Sequence, residues 1–216
     1  CLIEELIKKS NINPIISAPF FRNVYLRNIN KEYLKGFYLE NKPAFCGNLI
    51  NFYNNFKTLK NISKEKPEII HLTYYSNNLI NNNKNCVLTV YDLFHESFND
   101  NNNFRPKSLV LNNAKHIICI SRKTKKDLIN FYGIDKTKVS VIYLGGDHIL
   151  KNKIELNKNL EPYLLYVGSR ARIYKGFNFF LESFAKSIKL KKDLKLVIFG
   201  GESASKQEYY LIKKIN

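Results

Sequence analysis

The sequence predicts an α/β protein built on parallel β-sheets. Short apolar and β-branched runs alternate along the chain with segments of helical spacing, and most runs are closed by glycine or polar residues. Strands that alternate with helices over such a distance favour a doubly wound parallel sheet. The chain has 216 residues, of which 44% are hydrophobic, so it can bury a core in one large or two small domains.

The first two thirds of the chain contain most of the alternating segments. Strands are predicted at residues 14–18, 68–72, 87–90, 116–120 and 139–143, and helices at residues 2–9, 49–59, 105–114 and 122–132. Residues 20–39 mix aromatic and basic side chains without a clear period, which predicts loop and irregular helix, and residues 81–85 predict an exposed turn. Ser121 is expected to cap the last helix and Gly133 to end it in a left-handed conformation.

The last third of the chain predicts one βαβ unit and a further helix. Residues 164–167 form an apolar run closed by Gly168 and Ser169, and residues 194–199 are again apolar and β-branched. Between these runs, apolar residues recur at the spacing of one helix face, namely Phe177, Phe180 or Leu181, Phe184 and Ile188. The simplest fold for this order is a right-handed parallel βαβ unit, with the next helix at residues 206–215.

A basic loop joins the first strand of this unit to its helix. It carries Arg170, Arg172 and Lys175, with Gly176 at the helix start, and no acidic residue lies between positions 168 and 181. A helix N-terminus has unpaired N–H groups and about half a positive charge, so added cations make an anion site of phosphate or diphosphate size. The alternative is that the three cations are solvated loop charges in a very basic protein.

A second group of polar residues follows the predicted strand at residues 87–90. Asp92, His95 and Glu96 lie there, directly after a β-branched run. Functional groups in open α/β sheets collect at the carboxyl ends of strands, so chemistry is predicted at this position. A single histidine after a strand is also commonly structural, and that alternative stays open.

The chain is strongly basic, with 35 Lys and Arg against 18 Asp and Glu and a net charge of +17. This charge favours polyanions, anionic membrane surfaces or phosphorylated substrates. No apolar run approaches the roughly 18 residues that span a bilayer. The four cysteines lack metal-ligand spacing, which predicts free thiols in a reducing, cytoplasmic location. The absence of Met predicts a native start upstream and leaves a targeting segment open.

Five sequence stretches carry a resemblance to a known family. They are HLTYY at residues 71–75, TVYDLFHE at 89–96, HIICISRKTKKDLINFYGI at 116–134, KVSVIYLGGD at 138–147 and YVGSRARIYKGF at 166–177. In this order they resemble glycosyltransferase family 4, retaining sugar transferases of the GT-B fold, and especially its mannosyltransferase-like branch. The ordered set covers almost the whole chain, and it is more specific than any one of the stretches.

The resemblance implies a donor site in the second half of the chain. Arg170 and Lys175 would grip the diphosphate of a nucleotide sugar, in a site that also includes Gly168 and Ser169. Arg172 has no secure counterpart and is expected to be a neighbouring charge.

The resemblance also implies roles for residues of the first half. His95, or else Asp92, would be the catalytic group near the sugar. His71, Tyr74 and Tyr75 would shape the acceptor side, with aromatic packing beneath the cleft as the alternative.

The implied reaction transfers a hexosyl group, with mannose suggested by the branch, from a nucleotide-diphospho-sugar to a saccharide or lipid-linked acceptor with retention. It would belong to polysaccharide, O-antigen or glycolipid synthesis. Cations and a helix N-terminus would stabilise the charge that grows on the leaving diphosphate. No cofactor and no metal are then expected, and the sequence has no Asp-x-Asp pair of the kind that holds a metal in the other major glycosyltransferase fold.

The domains implied are a Rossmann-like acceptor-side domain at residues 1–147, a linker at 148–161 and part of a Rossmann-like nucleotide-sugar-binding domain at 162–216. The first strand and Gly-rich loop of the first domain would lie before the chain, and the carboxylate-rich segment of the second after it. The expectation is therefore a fragment that is inactive alone.

Three alternatives to this assignment remain open at the level of sequence. A Rossmann-like or GT-B nucleotide-sugar enzyme such as an epimerase would share the donor site. A basic nucleic-acid-binding protein would share the charge, although the segment after Gly133 has the pattern of a strand and not of a recognition helix. Peripheral contact with an anionic membrane is compatible with the transferase assignment, because lipid-linked acceptors lie at such surfaces.

Overall fold

The protein is an α/β structure in which every strand pairing is parallel. The computed structural model describes residues 2–9, 11–41, 45–75, 85–97, 104–146, 161–170, 173–200 and 206–215. The chain divides into two compact units, Cys1–Gly146 and Asp147–Asn216. The predicted α/β class with parallel sheets is confirmed, and it is consistent with a Rossmann-like fold.

A four-stranded parallel sheet forms the centre of the first unit. Its strands are β3 (Ile70–Leu72), β4 (Cys86–Val90), β5 (His116–Cys119) and β6 (Val139–Val141), and they lie side by side in that order. One row of neighbours crosses the whole sheet, and all four of its side chains are buried: Leu72, Leu88, Ile117 and Val139. This face is the core of the first unit because successive strand residues point to opposite faces.

The helices of the first unit are α1 (Leu2–Ile7), α2 (Gly47–Glu65), α3 (Phe94–Ser97), α4 (Phe104–Asn113) and α5 (Arg122–Tyr132). The core continues into them, with Leu93 before α3, Val110 and Leu111 on α4 and Leu128 on α5. Helices α4 and α5 each connect neighbouring parallel strands, as crossover helices in such sheets do.

Helix α5 begins and ends where the sequence predicts. The hydroxyl of Ser121 accepts a hydrogen bond from the N–H of Thr124 at 3.0 Å, as expected of an N-cap. Gly133 has a φ of 62° and its N–H donates to the carbonyl of Ile129 at 2.9 Å. A residue with a Cβ atom is disfavoured in that left-handed conformation, and this explains the glycine.

A separate two-stranded parallel sheet joins β1 (Ile16–Phe21) to β2 (Leu34–Tyr38), and helix α2 packs on it. The contact between α2 and β1 is unusually polar. Asn54 accepts from the N–H of Phe20 at 2.9 Å and donates to its carbonyl at 3.1 Å, and Asn61 donates to the hydroxyl of Ser17 at 3.0 Å. Polar side chains of α2 therefore face the sheet.

The second unit contains strands β7 (Tyr163–Val167) and β8 (Lys195–Phe199), which pair in parallel along their whole length. The connection between them contains α6 (Phe177–Lys186) and α7 (Ile188–Asp193), and α8 (Lys206–Ile215) follows β8. Three residues of α6 are buried, at the spacing of one helix face: Phe177, Leu181 and Phe184. The parallel βαβ unit predicted for this region is confirmed.

Two local predictions are wrong. Residues 20–39 contain strand β2 and a short 3₁₀ helix at Val24–Leu26, and not only loop and irregular helix. Ile188 does not continue the buried face of α6, because that helix ends at Lys186 and Ile188 is 85% exposed at the start of α7. Ser187 separates the two helices, and its hydroxyl accepts from the N–H of Leu190 at 3.3 Å. The predicted turn at residues 81–84 and the predicted linker up to residue 160 lie outside the described residues.

Candidate functional site

The turn after β7 contains the predicted donor-site residues of the second unit. The N–H of Gly168 donates to the carbonyl of Phe199 at 3.0 Å, so it prolongs the pairing of β7 with β8. Gly168 and Ser169 are half-buried there. This N–H is already used in the sheet, so it is not available as a hydrogen-bond donor to an anion.

Lys175 lies at the entrance to helix α6. It ends a short 3₁₀ helix, it is exposed, and its Nζ atom lies 5.4 Å from the ring centroid of Tyr174. Gly176 follows as the N-cap in a left-handed conformation, with a φ of 67°, and it has no side chain to cap the first N–H groups of α6. The amino end of α6 therefore presents backbone donors next to a lysine, as the sequence predicts.

Tyr166 connects this loop to the strand below it. Its hydroxyl donates to the carbonyl of Lys175 at 3.4 Å, and its ring packs edge-on against Phe177 with centroids 5.0 Å apart. No role was predicted for Tyr166 from the sequence. It is half-buried on β7, one residue before the end of the strand, and contacts both the loop and α6.

Arg170 is held by groups that are far away in sequence. Its Nε atom lies 3.1 Å from Oε1 of Glu208 on α8, and its Nη1 atom donates to the carbonyl of Gly200 at 2.7 Å. The two side chains are 12% and 18% exposed. Arg170 therefore ties the ends of β7 and β8 to α8, a contact that the sequence analysis did not predict. Arg172 lies outside the described residues.

In the first unit, Asp92 and His95 follow strand β4. Asp92 is exposed, and its carboxylate accepts a hydrogen bond from the N–H of Phe94 at 3.3 Å, at the start of α3. The backbone of His95 is in α3, one residue before Glu96. Both residues therefore lie after the carboxyl end of a central strand, where the sequence predicts them.

Glu96 is the centre of a buried carboxylate cluster, which we define as Glu96, Lys107, Tyr132 and Tyr75. Its Oε1 atom accepts from Nζ of Lys107 at 2.8 Å and from the hydroxyl of Tyr132 at 2.6 Å. The Lys107 ammonium also lies 5.1 Å from the ring centroid of Tyr75, which is a cation–π distance. The sequence analysis placed Glu96 after the strand but did not assign it a partner.

The cluster changes the ionisation of its own members. Burial raises the pKa of Glu96, but the hydrogen bonds from Lys107 and Tyr132 outweigh burial, so the net pKa of Glu96 is lowered. Burial, followed by the hydrogen bond to Glu96, raises the pKa of Tyr132. Burial and the charge of Glu96 raise the pKa of Tyr75. At neutral pH the cluster therefore holds one carboxylate, one ammonium and two neutral phenols.

The predicted acceptor-side residues lie on and after β3. Nε2 of His71 is hydrogen-bonded to the hydroxyl of Thr89 on β4 at 2.7 Å, and partial burial lowers the pKa of His71. Tyr74 is exposed, and its ring meets that of Tyr75 edge-on with centroids 5.5 Å apart. Tyr75 belongs to the buried carboxylate cluster, so of the two tyrosines only Tyr74 presents most of its ring to solvent.

The described residues contain no group of three or more His, Cys, Asp or Glu side chains placed to hold a metal ion. No helix within them combines the length and the apolar character needed to cross a bilayer.

Comparisons with known proteins identify a family and several similar solved structures. The model of the family described as Glycosyltransferase Family 4 matches residues 6–148. A crystal structure of a glycosyltransferase from Rickettsia africae is 19% identical and has a TM-score of 0.44, over 84% of this chain and 58% of that one. The chain therefore spans less than two thirds of the length of that structure. No curated protein sequence matches the chain.

Proposed function

The chain belongs to glycosyltransferase family 4, and from this premise we propose that it takes part in transferring a hexosyl group from a nucleotide-diphospho-sugar to an acceptor. Retention of configuration, the two-domain GT-B arrangement and mannose as the sugar are parts of this proposal, and they rest on the family resemblance of the quoted stretches. The acceptor class proposed is a saccharide or a lipid-linked saccharide, in the synthesis of a polysaccharide, O-antigen or glycolipid.

The observation that carries the proposal is the amino end of α6. Exposed Lys175 and then Gly176 directly precede its first N–H groups, and Gly176 has no side chain to cap them. Arg170 lies in the turn after β7, where it pairs with Glu208. A helix end stabilises a nearby anion by about 0.3 to 2 kcal/mol, and each charge-assisted hydrogen bond contributes about 1.5 to 3 kcal/mol. Charge grows on the leaving diphosphate as the glycosidic bond breaks, so these groups stabilise the transition state more than the ground state.

A matched pair of substitutions on α6 tests the donor site. Lys175→Ala removes the cation at the amino end, and Lys186→Ala removes an exposed cation at the carboxyl end of the same helix. We expect Lys175→Ala to lower kcat/KM for the nucleotide sugar at least tenfold, about 1.4 kcal/mol, and Lys186→Ala to leave it within about twofold. Equal effects of the two substitutions would leave Lys175 as an ordinary surface charge.

The first unit is proposed to supply the groups nearest the sugar. His95 is the first candidate and Asp92 the second, because both follow β4. In a family 4 transferase, His95→Ala should lower kcat more than it raises the donor KM, since the imidazole would act on the sugar and not on the diphosphate. An unchanged kcat would assign His95 a structural role and leave Asp92 as the group to test.

The reaction is proposed to need no divalent metal and no cofactor. The support is exposed Lys175 beside the helix end, with Arg170 as a second cation once a diphosphate displaces its partner Glu208. Sugar transfer by the protein should then persist in excess EDTA. A loss of activity that added Mg²⁺ or Mn²⁺ restores would contradict this part of the proposal.

Peripheral contact with an anionic membrane is proposed through helix α2. Its polar residues face β1, whereas Leu49, Phe52 and Phe56 are 68%, 71% and 58% exposed on the outer side, with exposed Lys60 and Lys64 further along. An exposed apolar stripe beside lysines suits the headgroup region of an anionic bilayer. Each lysine near such a surface contributes about 1 kcal/mol.

Vesicle sedimentation tests this contact. The triple variant Leu49→Ser, Phe52→Ser, Phe56→Ser should lose binding to vesicles that contain anionic lipid, and binding by the native protein should weaken with salt. Ile188→Ser removes one apolar side chain, 85% exposed, from the second unit and is the control. Binding that the triple variant retains in full would exclude α2 as the contact surface.

The second candidate function is an epimerase or another nucleotide-sugar enzyme that does not transfer the sugar to an acceptor. The same donor turn favours it, because a diphosphate would bind there in either reaction. Product analysis with a radiolabelled nucleotide sugar separates the two. A glycosylated acceptor supports transfer, and an epimerised sugar without any glycosylated acceptor supports the alternative.

A further inference from the structure

We propose that Glu96 is a positioning residue that holds helix α3, and with it His95 and Asp92, in the place that sugar transfer needs. The roles of His95 and Asp92 rest on the proposed function. The anchoring of α3 by Glu96 does not, because it follows from the contacts of the buried carboxylate cluster alone.

Helix α3 cannot hold its own position. It contains only four residues, Phe94–Ser97, and a single helical turn in isolation is unstable in water. Its placement must therefore come from contacts with the rest of the protein. Leu93, directly before it, is buried in the core, and Asp92 accepts from the N–H of Phe94. Glu96, directly after His95, is bound by groups from two other helices.

The anchor at Glu96 is directional. One oxygen, Oε1, receives both the Lys107 ammonium from α4 and the Tyr132 hydroxyl from the last residue of α5. The Glu96 side chain is only 2% exposed, so its carboxylate has lost most of its hydration and cannot leave these donors without a large penalty. Moving α3 would require breaking both bonds at once.

Stability alone does not require an ion pair at Glu96. Apolar side chains of similar size commonly stabilise a core as well as a buried ion pair does. A buried charge one residue from His95 is explained if the charge determines where α3 lies.

Two substitutions in the full chain test the proposal, and a third serves as the control. Glu96→Gln removes the charge and keeps the shape. Tyr132→Phe keeps the carboxylate and its charge but removes one of the two bonds that fix it. The control, Asp127→Asn, breaks the Lys123–Asp127 ion pair, which lies on the same helix as Tyr132 and has a length of 2.6 Å, with Lys123 78% exposed.

The first readout does not depend on any activity. The ring signals of His95 in ¹H–¹³C NMR spectra, assigned with His95→Gln, should shift or broaden in Glu96→Gln and in Tyr132→Phe and stay in place in Asp127→Asn. A shift in Glu96→Gln alone would reflect the lost charge and not a displaced helix, and it would overturn the proposal. Tyr132→Phe also keeps the test valid if Glu96→Gln fails to fold.

The second readout compares the effect on kcat with the effect on KM. Per folded molecule, Tyr132→Phe should lower kcat about tenfold, while KM for the nucleotide sugar stays within about twofold. Native kcat in this variant, together with native His95 signals, would show that Glu96 is only a structural ion pair. If the native protein transfers no sugar, the proposed function fails, whereas the His95 signals still decide whether Glu96 positions α3.

Discussion

Each compact unit contains a glutamate paired with a cation, and the two pairs differ in their surroundings. In the first unit, Glu96 and Lys107 are 2.8 Å apart, and the carboxylate is 2% exposed. In the second unit, Glu208 and Arg170 are 3.1 Å apart, and the carboxylate is 18% exposed. The first pair receives a third group from inside the core, the Tyr132 hydroxyl, whereas the second receives a carbonyl at the end of a strand, from Gly200.

The difference shows that similar ion pairs can serve different purposes. Removing water strengthens the attraction between charges but makes an unpaired charge expensive, so the Glu96 pair is rigid and cannot exchange partners easily. The two cations are equally shielded, since the Lys107 side chain is 13% exposed and the Arg170 side chain 12%, so the pairs differ at the carboxylate. Water reaches Glu208 more than Glu96, which weakens the hold of Glu208 on the guanidinium. We therefore expect rigidity from the first pair and propose that an incoming anion can compete for Arg170 in the second.

The largest expected effect is the loss of the Glu96 carboxylate. Glu96→Ala leaves the Lys107 ammonium in the core without its partner, and we expect the free energy of unfolding to fall by about 3 kcal/mol. Urea unfolding of the native protein and the variant measures this. Asp127→Asn should change stability by no more than about 0.5 kcal/mol. An equal loss of unfolding free energy in the two variants would show that the Glu96 pair contributes no more than an exposed surface ion pair.

Substitutions in the Arg170–Glu208 pair should have a small effect on the free energy of unfolding and a larger effect on the kinetics with the nucleotide sugar. Glu208→Gln removes only the partially exposed pair, so the free energy of unfolding should fall by no more than about 1 kcal/mol. Arg170→Ala should lower kcat/KM for the nucleotide sugar about tenfold, because it removes a cation from the proposed diphosphate site. Unchanged donor kinetics in Arg170→Ala would make this pair structural, like the first.

The pH dependence of stability should also separate the pairs. The pKa of Glu96 is lowered in the folded protein, so the unfolded state binds the proton more readily, and the stabilisation is present above the unfolded pKa of about 4.3. It is lost as the pH falls through the folded pKa. Between pH 6 and pH 3, the free energy of unfolding should therefore fall more steeply for the native protein than for Glu96→Gln. Parallel curves would show that the hydrogen bonds of the buried carboxylate cluster do not lower the pKa of Glu96.

The smallest expected effect concerns His71. Partial burial lowers its pKa, so the imidazole should titrate in NMR with a midpoint below the usual value of about 6.5. The associated stabilisation is present above that value and is lost as the pH falls through the folded pKa. Thr89→Val would remove the hydrogen-bonding partner of the ring and should move the midpoint. His71 as a whole is exposed on β3, so a normal midpoint in the native protein would show that water reaches the ring freely and would contradict this prediction.

Local patterns made several elements predictable. The alternation of apolar runs and helical spacing predicted the parallel α/β class, and the cap at Ser121 and the helix end at Gly133 follow from contacts within one turn of α5. The basic turn before α6 was predictable for the same reason, because its charges and glycines are consecutive in the chain. Strand β2 was missed because it depends on pairing with β1 and its own residues, LKGFY, include a lysine and a glycine.

Residue order was therefore sufficient for the class of fold, for the ends of α5 and for the position of a basic turn at a helix start, since neighbours in the chain produce each of these. Folding in three dimensions was needed to bring Glu208 to Arg170 across 38 positions and Tyr132 to Glu96 across 36. Both contacts join charged or hydroxyl groups from separate elements. The burial that determines their strength comes from packing, and no single segment of the chain encodes it.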